Sequence, residues 1–219
     1  MTGKRVLLML GGMFHDFEGF AAAIRPVIAG AGYSLTATYD LDELARLGGG
    51  AYEIVLSDTS LSRHREGMPA TTPQTFTPEQ TAGLERWVRD GGALVGVHSA
   101  TVSGVENPAF LRLLGGRFLS HPPQFVFTVS PVFGEHPITA GIEAFTVKDE
   151  MYIQECDPSI RVHMVTVDRG VAYPMVWSRL EGKGRVAHVS MGHGPEVWAL
   201  PQFQRLILQS LAWTSEARG

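Results

Sequence analysis

The sequence contains one cysteine among its 219 residues, and this scarcity limits its chemistry. Cys156 has no second cysteine with which to form an internal disulfide, and a cysteine-rich metal site is excluded for the same reason. Any metal bound by this chain would therefore need histidine and carboxylate ligands.

The chain also lacks an excess of charge of either sign. Charged residues make up 18% of the sequence, the formal net charge is −4, and the lysines and arginines are scattered rather than clustered. Nucleic acids and anionic membranes are bound through concentrated basic patches. We therefore expect neither a nucleic acid nor a membrane as a partner.

Long hydrophobic runs and linker-like segments are missing as well. The apolar run Val6–Leu10 is too short for a signal peptide core or for a membrane span, so it predicts a buried first strand in a cytoplasmic protein. At 44% apolar residues, the chain can bury a sizeable core. We predict a single domain over residues 1–219.

Short apolar runs alternate with longer amphipathic segments, a pattern typical of βα units around a mainly parallel sheet. The strands predicted in the first half are Arg5–Leu10, Ser34–Tyr39, Tyr52–Ser57 and Ala93–Val97. Proline-led starts with capping residues predict helices over Thr77–Asp90 and Asn107–Leu114, and an apolar stripe predicts a last helix over Pro201–Trp213.

Beyond residue 120 the pattern changes to strands with little helix between them, which predicts an antiparallel extension of the sheet. The predicted strands are Gln124–Ser130, Ala144–Lys148, Arg161–Val167, Tyr173–Trp177 and, after a turn, Arg185–Ser190. Pro174 predicts an edge position for its strand, and Pro26 predicts a kink or an early end of the first helix. Arg63–Glu66 is predicted to be a solvated turn.

Three histidines follow three of the predicted strands. His15 comes after the first strand, His98 after the fourth and His193 after the last. In open α/β sheets, ligands bind outside the carboxyl ends of the strands. These histidines are therefore the first candidates for a functional site, and we expect His98 and His193 to lie within about 4–6 Å of each other.

The segment Gly96–Ala100 has the pattern of a nucleophile elbow, in which small residues on both sides allow a sharp turn after a strand. The residue at the turn is His98, where a glutamine amidotransferase needs cysteine. Imidazole can serve as a general base, a metal ligand or, rarely, a nucleophile, but it cannot form the thioester intermediate of glutamine hydrolysis. We therefore expect no glutaminase activity.

Several motifs in order resemble the ThuA-like, or trehalose-utilisation, family. They are Gly91–Ala100, Leu114–Phe118 followed by His121-Pro122, His136–Ile138, Lys148–Glu150, Lys183–Val186 and Gly192–Trp198. The resemblance covers nearly the whole chain. It implies a flavodoxin-like, glutamine amidotransferase-like three-layer sandwich and a link to the metabolism of trehalose and keto-sugars.

The candidate site residues divide into three groups. His98, His193 and Glu150 are candidates for catalysis, and His15, His98 and His193 for metal binding. The candidates for substrate binding are His121, Asp149, Ser99 and Glu196. Each has an ordinary alternative: His121 could pack a turn, Asp149 and Glu150 could be a solvated pair, and Glu196 could orient His193 or cap a helix. Trp177 and Trp198 are expected in the core or in a pocket wall rather than as a sugar platform.

Two hypotheses follow. In the first, the chain is an enzyme whose histidines and Glu150 bind zinc, manganese or iron, or share acid–base work, in a hydrolase, lyase or isomerase reaction on a sugar derivative. In the second, the same cleft is a non-catalytic carbohydrate-binding module. Several titratable groups at one sheet edge favour the enzyme. The sequence leaves open whether the protein forms a homodimer.

Overall fold

The computed structural model describes residues 3–62, 73–132 and 134–216, so the predicted turn Arg63–Glu66 lies outside the described residues. The strands in these ranges are β1 Arg5–Gly12, β2 Ser34–Thr38, β3 Ile54–Ser60, β4 Ala93–Val97, β5 Gly116–Ser120, β6 Phe125–Pro131, β7 Phe145–Asp149, β8 Ile153–Cys156, β9 Arg161–Asp168, β10 Val171–Glu181 and β11 Gly184–Val189.

The α-helices are α1 Phe17–Gly30, α2 Pro78–Arg89, α3 Pro108–Leu114, α4 Pro195–Trp198 and α5 Pro201–Thr214. Short 3₁₀ helices cover Leu41–Gly49, His98–Gly104 and Pro137–Thr139. The predicted capping box of α2 is present, with Thr77 and Gln80 each accepting a backbone N–H of the other. No helix in the described part of the chain has the length and apolar character needed to cross a membrane.

Nine of the described strands form one sheet in the order β2-β1-β3-β4-β11-β10-β9-β6-β7. The neighbours from β2 to β11 pair in parallel, and those from β11 to β7 pair antiparallel. The predicted α/β fold, a mainly parallel sheet with an antiparallel extension, is confirmed. The strands β5 and β8, neither of which was predicted, form a separate antiparallel pair.

Both faces of the parallel sheet are covered, which explains why its strands are apolar at nearly every position. In β1, Val6 and Leu8 pack into the core under α1 and α5, whereas Leu7 and Met9 pack into the core under α2 and α3. The side chains of a strand point alternately to its two faces, so a strand between two helical layers buries all of them. The result is the three-layer arrangement expected from the sequence.

The edge position expected from Pro174 was wrong, and so was the early end of the first helix, one of the two effects expected from Pro26. The strand containing Pro174 is not at an edge, because β10 lies between β9 and β11. Its ladder with β11 starts only at Val176, and its register with β9 shifts between Pro174 and Val176, so the missing N–H falls at an irregularity rather than in a regular ladder. Helix α1 is not shortened either, since it continues through Pro26 to Gly30.

Candidate functional site

The segments after four strands bring four side chains together at one edge of the sheet. His15 follows β1, His98 follows β4, Glu150 follows β7 and His193 follows β11. Each offers one possible ligand atom, and these four atoms all lie within 4.8 Å of one another. We call this group the histidine–glutamate cluster. The parallel strands supply its histidines, and the antiparallel extension supplies its carboxylate.

Glu150 lies between two of the histidines. Its Oε2 atom is 3.5 Å from His98 Nε2 and 3.1 Å from His193 Nδ1. The ring centroids of His98 and His193 are 5.5 Å apart, and the ring of His15 is 5.0 Å from each of them. The two histidines from the ends of β4 and β11 therefore share one site, at the separation that strand order led us to expect.

Backbone carbonyls determine which nitrogen of two cluster histidines faces the site. His98 Nδ1 donates to the carbonyl oxygen of Ser190 at 2.9 Å, and His15 Nδ1 donates to that of Met13 at 2.8 Å. A carbonyl oxygen can only accept, so the neutral rings carry their proton on Nδ1 and present the lone pair of Nε2. A backbone carbonyl behind the ring is the usual partner of a metal-ligating histidine.

The chain turns sharply at His98, as the elbow pattern predicts, and the backbone there is left-handed, with a φ of 37°. Gly96 is required before it, because a Cβ there would lie 2.7 Å from Leu114 Cδ1 and 2.8 Å from His188 Nδ1. Behind the turn, a Cβ on Gly192 would lie 3.3 Å from His98 Cβ. Small residues thus allow the tight packing that holds the fully buried imidazole in place.

Glu150 and the neighbouring histidines stabilise each other's charged forms. Burial, the largest single influence, raises the pKa of Glu150, but hydrogen bonding and charge from His193 and His98 outweigh it, so the pKa is well below its usual range. For His98, burial lowers the pKa, but Glu150, Asp149 and the Ser190 carbonyl outweigh it, so the net change is upward. Glu150 is therefore a carboxylate at neutral pH, and it stabilises positive charge beside it.

The pKa of His15 is lowered, in contrast to that of His98. Burial and the neighbouring charge of His98 lower its pKa to about 3. The ring is therefore neutral throughout the physiological pH range, and its Nε2 lone pair remains available. A cluster with one permanently neutral imidazole, a carboxylate and a second imidazole of raised pKa can both accept a proton and ligate a cation.

Tyr152, which was not among the predicted site residues, packs against much of the cluster. Its hydroxyl donates to His15 Nε2 at 3.3 Å, and its ring centroid lies 4.2 Å from that of His98 and 5.8 Å from that of His121. Burial raises the pKa of its hydroxyl well above the ordinary value. Its place two residues after Glu150 was the one available signal, since alternate residues of an extended segment point the same way.

Asp149 is next to the cluster in sequence, but its carboxylate faces the backbone. Oδ2 accepts the N–H of Gly192 at 2.7 Å, and Oδ1 accepts the N–H groups of His193 at 3.2 Å and Glu150 at 2.9 Å. The side chain is buried. Instead of reaching the cavity as a substrate-binding residue would, it ties the end of β7 to the loop after β11. It thereby sets where Glu150 and His193 stand relative to each other.

Ser99, the other candidate beside a cluster residue, also points away from the cavity. Its hydroxyl donates to Asp58 Oδ1 at 2.6 Å, and both residues are buried. Asp58 ends up beneath the turn that carries His98, where burial raises its pKa to about 6 despite the Ser99 hydrogen bond. The pair supports the elbow from behind.

The remaining two substrate-binding candidates, His121 and Glu196, differ in their position relative to the cluster. His121 lies at the rim, with Nε2 3.8 Å from Glu150 Oε1 and Nδ1 donating to the Pro122 carbonyl at 2.9 Å. Glu196 is exposed in the first turn of α4 and bends back toward Gly194. The carboxylate next to His193 is that of Glu150. Glu196 does not take this place, because it lies three residues after His193, on helix α4, which leads away from the cluster.

A cavity of about 420 Å³ opens above the cluster. His15, His193 and Glu150 face it from below, and apolar side chains from the loop after β1 and from β5 form its sides. It is lined by Phe14, His15, Ser60, Ser62, Val102, Val105, Phe118, Leu119, His121, Glu150, Tyr152 and His193.

Cys156 lies outside this cavity, at the end of β8, where burial raises the pKa of its thiol to about 11. Trp177 and Trp198 are buried in the core.

Comparison with known proteins identifies related sequences and folds. Residues 5–214 match the ThuA family, which is described as trehalose utilisation. A ThuA-like protein of Parabacteroides merdae has a similar structure, with a TM-score of 0.80 and 18% identity over 97% of this chain and 90% of that one. No curated protein matches the sequence.

Two further structures share the fold. A protein of Salmonella typhimurium LT2, described as cytoplasmic, aligns with a TM-score of 0.66 and 13% identity over 96% of this chain and 97% of that one. A cold-adapted β-galactosidase of Rahnella sp. R3 aligns with a TM-score of 0.66 and 16% identity over 96% of this chain but only 31% of the larger enzyme. At these identities the likeness shows the fold alone.

Proposed function

Because this chain belongs to the ThuA family, which links it to trehalose utilisation, we propose that it is a metal-dependent enzyme acting on a sugar derivative. One observation carries the proposal: three imidazoles and a carboxylate, supplied by four separate loops, place ligand atoms within 4.8 Å of one another beneath a cavity. We also propose that the whole chain is one ThuA-like domain and acts in the cytoplasm.

The donor atoms fit a divalent cation. His98 Nε2 and His193 Nδ1 are buried, and their one polar neighbour among the cluster's carboxylate oxygens is Glu150 Oε2, at 3.5 and 3.1 Å, in poor alignment for a hydrogen bond. A neutral nitrogen lone pair that faces a carboxylate costs free energy, so a cation that accepts both lone pairs and pairs with Glu150 would remove a cost that the fold otherwise carries. Imidazole and carboxylate ligands suit zinc, manganese or iron.

The position of each site residue suggests its role in binding the cation or in transferring a proton. His15, His98, His193 and Glu150 would hold the cation, which when bound supplies Lewis acidity to polarise a carbonyl or to activate water. His121 lies at the rim with its Nε2 toward Glu150, where it can exchange a proton with a substrate hydroxyl. The Met13 carbonyl would keep His15 oriented through Nδ1, whereas the Tyr152 hydroxyl, which donates to His15 Nε2, would give up that hydrogen bond when Nε2 holds the cation. A hydrolase, lyase or isomerase would be compatible with these roles.

Metal titration by calorimetry at several pH values tests this proposal. Proton competition at His98, whose pKa is raised, should weaken zinc or manganese binding as the pH falls from about 7.5 to about 5.5. The loss should approach about tenfold for each pH unit below that pKa, since one proton must leave for the metal to bind. His15, with its lowered pKa, should add no competition in this range.

Variants complete the test. His98→Ala and His193→Ala should each weaken metal binding by at least about tenfold, whereas His163→Gln, at a buried histidine outside the cluster, should not. Elemental analysis of protein purified without a metal-affinity tag gives an independent measurement. Affinity that stays flat with pH, or cluster variants that bind as well as the wild type, would leave the non-catalytic carbohydrate-binding module as the better account.

A further inference from the structure

The hydroxyl of Tyr152 is bonded to a nitrogen that the proposed cation would need. His15 Nδ1 donates to the Met13 carbonyl, so the Nε2 lone pair faces the cluster, and the Tyr152 hydroxyl donates to that lone pair at 3.3 Å. One lone pair cannot accept a hydrogen bond and ligate a cation at the same time. Cation binding at His15 therefore removes the acceptor of this hydroxyl.

The ring of Tyr152 is held in place by its neighbours. The residue is 2% exposed, and its ring centroid lies 4.2 Å from that of His98 and 4.5 Å from that of Phe118. The ring of His121 is stacked on it from the rim, with a centroid separation of 5.8 Å. Because the ring is packed in this way, the O–H bond turns when His15 Nε2 is taken, while the oxygen stays beside the cluster.

A buried hydroxyl that loses its acceptor needs another one. Among the described residues, His15 Nε2 is the hydrogen-bond partner of the Tyr152 hydroxyl, and no second acceptor is in hydrogen-bonding geometry with it. An unsatisfied buried donor costs free energy. Tyr152 also lines the cavity of about 420 Å³, together with His15, His193 and Glu150. The replacement acceptor therefore has to come from the ligand in this cavity.

We propose that Tyr152 is a catalytic residue, whose hydroxyl donates a hydrogen bond to a ligand oxygen that carries or develops negative charge. This inference rests on the proposed function, because cation binding is what frees the hydroxyl. A phenol keeps its proton at neutral pH, so Tyr152 acts as a donor and not as a base. A donor already positioned where negative charge develops lowers the barrier of the reaction. The ligands of the site are thus compounds that react through such an oxygen, as when a carbonyl is attacked or enolised.

Removing the hydroxyl alone tests this role, because Tyr152→Phe keeps the ring that packs against His98 and Phe118. Calorimetry measures the binding of zinc, and then the binding of acetohydroxamate and of imidazole to the zinc-loaded protein. Acetohydroxamate binds zinc through negatively charged oxygen, whereas imidazole binds through nitrogen and offers the hydroxyl no acceptor. The control is Tyr33→Phe, which loses a hydroxyl before β2, at the other end of the sheet.

The expected pattern differs between the three ligands. Tyr152→Phe should bind zinc as tightly as the wild type or up to about 10-fold more tightly, because no hydroxyl competes for His15 Nε2. Its zinc-loaded form should bind acetohydroxamate about 10-fold more weakly, as expected for the loss of a hydrogen bond to a charged oxygen, and imidazole within about twofold of the wild type. Tyr33→Phe should match the wild type with all three.

The outcomes separate this inference from the proposed function. Weaker zinc binding by Tyr152→Phe would overturn the competition at His15. Acetohydroxamate affinity that is unchanged, or that falls no more than imidazole affinity, would overturn the donor role while the metal site stands. A zinc-loaded wild type that binds no acetohydroxamate would also overturn the donor role on its own. If the wild type binds no zinc, the proposed function fails and this inference fails with it.

Discussion

Replacing the buried Asp58 by asparagine should stabilise the folded chain at neutral pH and have little effect in acid. The residue is 3% exposed near the end of β3, and its carboxyl accepts the Ser99 hydroxyl at 2.6 Å. Burial raises its pKa from 3.8 to about 6, although the Ser99 hydrogen bond and the nearby His98 and His193 act in the other direction. The folded state therefore binds this proton more tightly than the unfolded state does.

The sign and the size of the effect follow from linkage. Because the folded-state pKa is the higher one, the stability contributed by this group is present below about pH 4 and is lost as the pH rises through about 6. One pKa unit corresponds to about 1.4 kcal/mol, so at neutral pH the ionised carboxylate costs the folded state about 3 kcal/mol. Asparagine has the same shape, can still accept the Ser99 hydroxyl, and is never ionised.

Urea unfolding of the wild type and of Asp58→Asn at about pH 4 and about pH 7.5 measures the effect. We expect the variant to be more stable by about 2–3 kcal/mol at the higher pH and within about 0.5 kcal/mol of the wild type at the lower. The surface change Asp168→Asn is the control and should stay within about 0.5 kcal/mol at both. An equal difference at both pH values, or a loss of stability at pH 7.5, would refute the reasoning.

Two further predictions concern the cluster. Asp149→Asn should weaken zinc binding by about tenfold or more, because the carboxylate that positions Glu150 and His193 loses its charge while their ligand atoms remain; calorimetry that finds wild-type affinity would show that Asp149 does not position them. Incubation with glutamine should release no ammonia above background, because Cys156 lies outside the cavity and its thiol has a pKa raised to about 11; release that disappears in Cys156→Ser would contradict this.

Strand order was sufficient to predict much of the site. Apolar runs followed by histidines, together with the rule that ligands bind at the carboxyl ends of parallel strands, placed His15, His98 and His193 at one sheet edge. The small residues around His98 also predicted a sharp turn there, and the structure makes that turn with a left-handed backbone. These features depend on local chain geometry, so a short stretch of sequence carries the information.

Local sequence patterns did not predict which side chains the antiparallel extension contributes to the site. Which carboxylate meets His193 depends on how β7 and the loop after β11 pack together, and no local pattern distinguishes Glu150 from Glu196 in that respect. The direction of the Asp149 carboxylate, toward backbone N–H groups rather than the cavity, likewise depends on contacts between segments more than 40 residues apart.

The sequence by itself determined the fold class, the exclusion of thiolate chemistry at the elbow, and the three strand ends that carry histidine. Only the tertiary structure decided that Glu150 completes the cluster, that Tyr152 packs against it, and that Ser99 and Asp149 support it from behind. The physical reason is that hydrophobic periodicity and turn chemistry act over a few residues. Hydrogen bonds and burial in the site join residues brought together by long-range packing.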